Sequence, residues 1–144
     1  MTHGIDTDFL VAVEILDHPF HVSAESLLHR LLNAGDTFAL VPQVLAEFVH
    51  IVTDPRRMPR PLSMSEALSR AEDWWNAAEV TRVFPSGQCI VDFFQWVRQY
   101  QLGRKRLLDT MLASSLHHGG IKKLITNNAA DFRVFGVLEV VEFK

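Results

Sequence analysis

The sequence predicts an α/β domain built around a mainly parallel sheet. Short apolar runs alternate along the chain with longer segments whose apolar residues recur at helical spacing, and turn formers separate the two kinds. At 144 residues, 48% of them hydrophobic and 22% charged, the chain can bury a proper core and reads as one domain, 1–144, without repeat or linker.

The elements follow in order. His3 to Asp6 is short, but Ile5 ahead of two acids marks a strand end. Phe9 to Leu16 reads as a helix that Asp6, Thr7 or Asp8 can cap, and Pro19 lies just past its end. Ser23 opens a second helix with Leu27, Leu28, Leu31 and Leu32 on one stripe, stopped by Gly35. Phe38 to Val41 is a buried strand candidate ended by Pro42, and a helix carrying Val44, Leu45, Glu47, Phe48, Val49 and Val52 follows. Pro55 to Pro61 holds three prolines beside Arg56, Arg57 and Arg60, which predicts a basic loop. Ser63 or Ser65 begins a helix running through Trp74 and Trp75, and Val80 to Phe84 resembles a third strand. Ile90 to Tyr100 is another helix. Arg104, Lys105 and Arg106 then precede a helix through Leu116, with Gly119 and Gly120 as its stop. Lys123 to Thr126 and Val137 to Val141 read as the last strands, with a polar turn around Asn127 and Asn128 between them.

Composition excludes several classes. A lone cysteine, Cys89, leaves no disulfide framework or cysteine zinc site and reads as a buried apolar thiol in a reducing, cytoplasmic setting. The N-terminal residues lack a basic signal region, and Phe9 to Val13 is far too short to span a membrane. The net charge of −3 argues against a nonspecific nucleic-acid coat, yet bound cations would invert the sign around a carboxylate site.

Candidate chemistry rests on acids at element ends. Asp6 and Asp8 flank Thr7 where the first strand gives way to a helix, where ligands of open α/β sheets gather. Glu47 interrupts an otherwise apolar helix, and a carboxylate there is costly to bury unless it is paired or metal-bound. Asp109 stands in the first turns of an apolar helix, where the dipole also favours an acid. Asp131 closes a run rich in turn formers. Each alone also suits a cap or a solvated face; together they match the several oxygen ligands that a hard divalent cation needs.

In that order, the residues resemble the PIN-domain family, and more narrowly the VapC-type toxins of bacterial toxin–antitoxin pairs. Ile5–Leu10 (IDTDFL) resembles the opening Asp-Thr-Asn/Ser block, and Val41–Phe48 (VPQVLAEF) the block in which Pro precedes Glu. Arg106–Ala113 (RLLDTMLA) resembles the Asp that opens an Ala-rich helix, and Leu124–Phe132 (LITNNAADF) the closing Thr-x-Asn/Asp block. Two positions depart: Asp8 stands where the family more often has Asn or Ser, and Asn128 where some relatives have Asp. The fourth acid is thus either Asp131 or missing. The resemblance implies a five-stranded parallel sheet flanked by helices, usually a homodimer, and an antitoxin that blocks the acidic pocket. It implies cleavage of RNA with Mg²⁺ or Mn²⁺.

On that basis Asp6 and Asp109 are expected as direct metal ligands, with Glu47 and Asp131 completing the catalytic set directly or through water. Thr7, Asp8, Thr126 and Asn128 are expected to support them. Arg56, Arg57, Arg60, Arg104, Lys105 and Arg106 are candidates to grip the RNA backbone if their two loops share the acidic face. An empty site should carry at least one raised carboxylate pKa. The seven histidines show no ligand spacing, and adjacent His117 and His118 should point about 100° apart on a helix. The stripe of Phe93, Phe94, Trp96, Val97 and Tyr100 reads as core or dimer interface rather than a base-stacking platform. Two alternatives stand beside the nuclease. An inactive PIN-like binding module is permitted by Asn128; an Asp-x-Asp phosphatase of the haloacid-dehalogenase type would need a downstream Lys and a paired-acid loop.

Overall fold

The computed structural model describes residues 1–144. Its sheet has strands β1 (Thr2–Ile5), β2 (Thr37–Leu40), β3 (Val80–Arg82), β4 (Lys123–Ile125) and β5 (Glu139–Val141). Their order is β3-β2-β1-β4-β5 and every adjacent pair is parallel. Seven helices connect and cover them: α1 (Thr7–Glu14), α2 (His21–Asn33), α3 (Pro42–Val52), α4 (Met64–Asn76), α5 (Gly87–Gln99), α6 (Leu107–His118) and α7 (Ala129–Arg133). No helix is long and apolar enough to cross a membrane.

Local chemistry explains the boundaries. Asp6 caps α1, Pro42 occupies the first turn of α3, and Ser63 with Glu66 forms a reciprocal capping box on α4. Gly35 takes φ +79° just past α2, a conformation that costs other residues more. β1 and β2 have the expected length, each shifted one residue toward the N-terminus, whereas β3, β4 and β5 keep only three paired residues each. Residues 104–106 form a 3₁₀ turn that leads into α6. The one α-helix absent from the sequence reading is α7: five residues are too few to show a period, and the segment reads as a plain turn.

One hydrophobic cluster joins the sheet to both helical layers, with Ile5, Phe9, Phe38, Phe48, Leu112, Leu116 and Phe132 at most 2% exposed. Cys89 is a free, buried thiol, as expected. Of the aromatic stripe on α5, Trp96 is buried and stacks on Phe135 at 5.1 Å, whereas Phe94 is 54% exposed. Central β1 packs so closely on α6 that a Cβ at Gly4 would lie 2.7 Å from Leu116 Cδ1 and 3.1 Å from the Lys123 carbonyl oxygen. Gly4→Ala should therefore cost about 1–3 kcal/mol, read as a lower urea midpoint with an unchanged m-value. An unchanged midpoint would show that β1 and α6 are looser than described.

The topology also fixes where a site belongs. Connections run outward from β1 toward β2 on one side, and from β4 toward β5 on the other. This reversal leaves a crevice beyond the carboxyl ends of β1 and β4, the expected ligand position in such sheets.

Candidate active site

Asp6 and Thr126 are the residues that immediately follow β1 and β4, so they face each other across that crevice. Asp6 is 7% exposed and fully engaged. Its Oδ1 accepts from the Thr7 backbone N–H at 2.8 Å, and its Oδ2 accepts from the Thr126 hydroxyl at 2.8 Å. The same hydroxyl lies 3.2 Å from Asp8 Oδ2, which also accepts from the Asn127 N–H at 2.9 Å. Thr126 has one proton for two carboxylates, and its oxygen already accepts from the Asn128 N–H at 3.0 Å. Asp8 Oδ1 is buried with no partner.

The other acids come from three helices. Glu47 on α3 accepts from the Thr7 hydroxyl and from Gln43, both at 3.4 Å, and Gln43 also donates to the Leu108 carbonyl at 2.9 Å. That Gln43 bridge ties α3 to the first turn of α6. Asp109 stands in that turn, and Asp131 on α7. Arg106 lies between them, its guanidinium 3.8 Å from Asp109 and 3.6 Å from Asp131, and it also donates to the Asp131 carbonyl.

Crowding shows in the titration. Burial, then the charge of Asp8, pushes Asp6 up to about 8. Asp109 is raised to about 6, by burial first and then by Asp131, with Arg106 opposing and Glu47 and Asp8 adding. Burial raises Asp8 and Glu47 as well. The expectation of at least one raised carboxylate is met. A group of acids with too few protons and one orphaned buried oxygen lacks positive charge, and a hard divalent cation fits that donor set.

No protein-family model matches the chain. Over 144 residues, 95% of this chain and 93% of the relative, it is 28% identical to Ribonuclease VapC24 of Mycobacterium tuberculosis. VapC20 of the same organism, a toxin that cleaves the sarcin–ricin loop, shares the fold with a TM-score of 0.72 at 17% identity, covering 97% of this chain and 98% of that one. VapBC2 from Rickettsia felis, solved on a DNA fragment from its promoter, gives a TM-score of 0.70 at 21% identity over all of both chains. This is a VapC-type PIN fold.

All four VapC-like blocks of the sequence lie around the crevice, one after β1, one on α3, one opening α6 and one after β4. Asp6, Glu47 and Asp109 thus converge, with Thr7 and Thr126 bonded to acids as expected. Asp8 was expected as support or as the cap; Asp6 makes the cap bond, and Asp8 joins the acidic group. Asn128 was expected among the supporting residues; its backbone engages, the N–H donating to Thr126 and the carbonyl accepting from the Asp131 N–H, and the acid side chain at this corner is Asp131. Arg106, a candidate for the RNA backbone, bridges two acids of the crevice in this structure.

The other basic residues divide. Arg57 pairs with Asp54 and Arg60 with Asp17, in the loop that follows the far end of α3. Neither touches the acids. Arg104 and Lys105 are exposed on the turn beside Asp109. Sequence reasoning missed Gln43, whose only signal is its i,i+4 spacing from Glu47, and Asn127, whose Oδ1 accepts from the Phe143 N–H at 2.8 Å. It also missed a contact remote from the pocket: His117 and His118 do not diverge, since their rings lie 5.0 Å apart and both approach Asp92.

Proposed function

We propose that the chain is a metal-dependent endoribonuclease, the toxin of a toxin–antitoxin pair. The observation that carries this is the convergence of Asp6, Asp8, Glu47 and Asp109 at the crevice between β1 and β4. The relationship to Ribonuclease VapC24 and the fold of a VapC toxin that cuts the sarcin–ricin loop support it.

In this reading Asp6 and Asp109 hold the cation directly, and the unpartnered Oδ1 gives Asp8 a place beside them. Glu47 and Asp131 complete the shell directly or through water. Mg²⁺ or Mn²⁺ bound there would supply a water activated for attack and would neutralise charge on the phosphate. Thr7 and Thr126 hold the carboxylates at fixed angles, so no reorganisation is needed as charge develops. Arg106, beside Asp109 and Asp131, would lie within reach of a phosphate at the cation, and Arg104 and Lys105 on the same turn would extend that grip along the backbone. Arg56, Arg57 and Arg60 lie in the loop past the C-terminal end of α3, where Arg57 pairs with Asp54 and Arg60 with Asp17.

The partner is an antitoxin that masks the acids, and the active form is a homodimer in the cytoplasm. The phosphatase alternative finds no lysine among the groups touching Asp6 or Asp8. Incubation with a pool of structured RNAs tests the function: cleavage should require Mn²⁺ or Mg²⁺, stop with EDTA and leave free RNA ends. Intact RNA under all metals, with a partner still bound, would instead favour an inactive binding module.

A further inference from the structure

We propose a second, transition-metal site formed by Asp92 of α5 with His117 and His118 of α6. One ligand atom from each residue lies within 4.8 Å of the others. His118 Nε2 and Asp92 Oδ2 are 2.5 Å apart, with those side chains 22% and 18% exposed. The cluster is independent of the acidic crevice. Asp109 opens α6 and the histidines close it, so about 12–14 Å of helix separates them.

Three features favour a cation here. Both histidines occupy the last turn of α6, where the helix dipole and the free carbonyl groups attract positive charge. Two imidazoles and one carboxylate form a donor set of borderline softness, suited to Zn²⁺, Ni²⁺ or Co²⁺ rather than Mg²⁺. The ligand atoms lie near enough that side-chain rotation alone brings them to tetrahedral spacing. With bonds of about 2.0–2.1 Å, ligand atoms stand roughly 3.3 Å apart, so the exposed His117 ring turns inward and the Asp92–His118 contact opens slightly. A water would fill the fourth position. The ion would staple α5 to α6 beside the exposed Val91 and Phe94.

The competing account is a plain ion pair between protonated His118 and Asp92, with His117 idle. Zn²⁺ binding measured by calorimetry separates the two, in Asp6→Asn/Asp109→Asn protein with excess Mg²⁺ to silence the crevice. One Zn²⁺ per chain is expected. His117→Ala, His118→Ala and Asp92→Asn should each weaken binding roughly tenfold or more. Because the residues are outside the core, melting in EDTA should change little. Co²⁺ supplies a second readout: His117 lies 6.0 Å from the Trp96 ring, so bound Co²⁺ should quench Trp96 fluorescence, and His117→Ala should lose the quenching. Absence of binding, equal affinity in the histidine variants, or one ion per two chains would each overturn the site.

Discussion

Asp6→Asn and Asp109→Asn should each lower the rate of RNA cleavage by at least ~10³-fold while leaving the fold intact. The size follows from what each carboxylate does. Asp6 is held from both sides, by the Thr7 N–H and the Thr126 hydroxyl, so its oxygens are fixed in place. An amide keeps the shape but removes the charge that captures the cation, and with it both the activated water and the charge neutralisation at phosphorus. Asp109 is less confined, bounded by Arg106 on one side and the other acids on the rest. Single-turnover rates at saturating Mn²⁺ measure the loss. A change under tenfold in either variant would remove that residue from the catalytic set.

The same substitution at Asp6 should make the metal-free protein more stable. Asp6 ionises near 3.8 in an unfolded chain and near 8 in the folded one. Well below pH 3.8 the group is neutral in both states and contributes nothing. As pH rises from there toward 8 the unfolded chain loses the proton and the folded one keeps it, so folding stability declines across that window. Asp109, raised to about 6, adds to the decline over its lower part. Asp6→Asn removes the larger contribution. Its amide would donate to the Thr126 oxygen, freeing the hydroxyl proton for Asp8. A gain of about 3 kcal/mol at pH 7.5, or roughly 10 °C in Tm, is expected without metal. Mg²⁺ should stabilise wild type and barely affect the variant. A variant less stable than wild type in EDTA would mean that the pocket is not short of positive charge.

Much of this architecture is legible in the residues themselves. Apolar periodicity and caps such as Ser63 identify helices α1–α6, and short apolar runs identify the strands, because both signals are local. The order β3-β2-β1-β4-β5 depends on pairings between distant segments and cannot be read from any window. The acids were legible as a set, since each falls at an element end or interrupts an apolar helix. Their division of labour was not. Asp6 and Asp8 are the same residue type two positions apart, and only the fold shows that Asp6 caps α1 while Asp8 retains a buried oxygen without a partner. Arg106 looked like its neighbours Arg104 and Lys105, but the position of α7 turns it onto Asp131. A helix taken alone sets His117 and His118 about 100° apart, and packing against α5 supplies Asp92 to both.

A crystal soaked in Mn²⁺ offers the most direct measurement, through the anomalous signal of the ion. The peak should lie at the carboxyl ends of β1 and β4, about 2.0–2.3 Å from oxygens of Asp6 and Asp109. If millimolar Mn²⁺ leaves that crevice without a peak, the acids crowd together for another reason and the nuclease assignment falls.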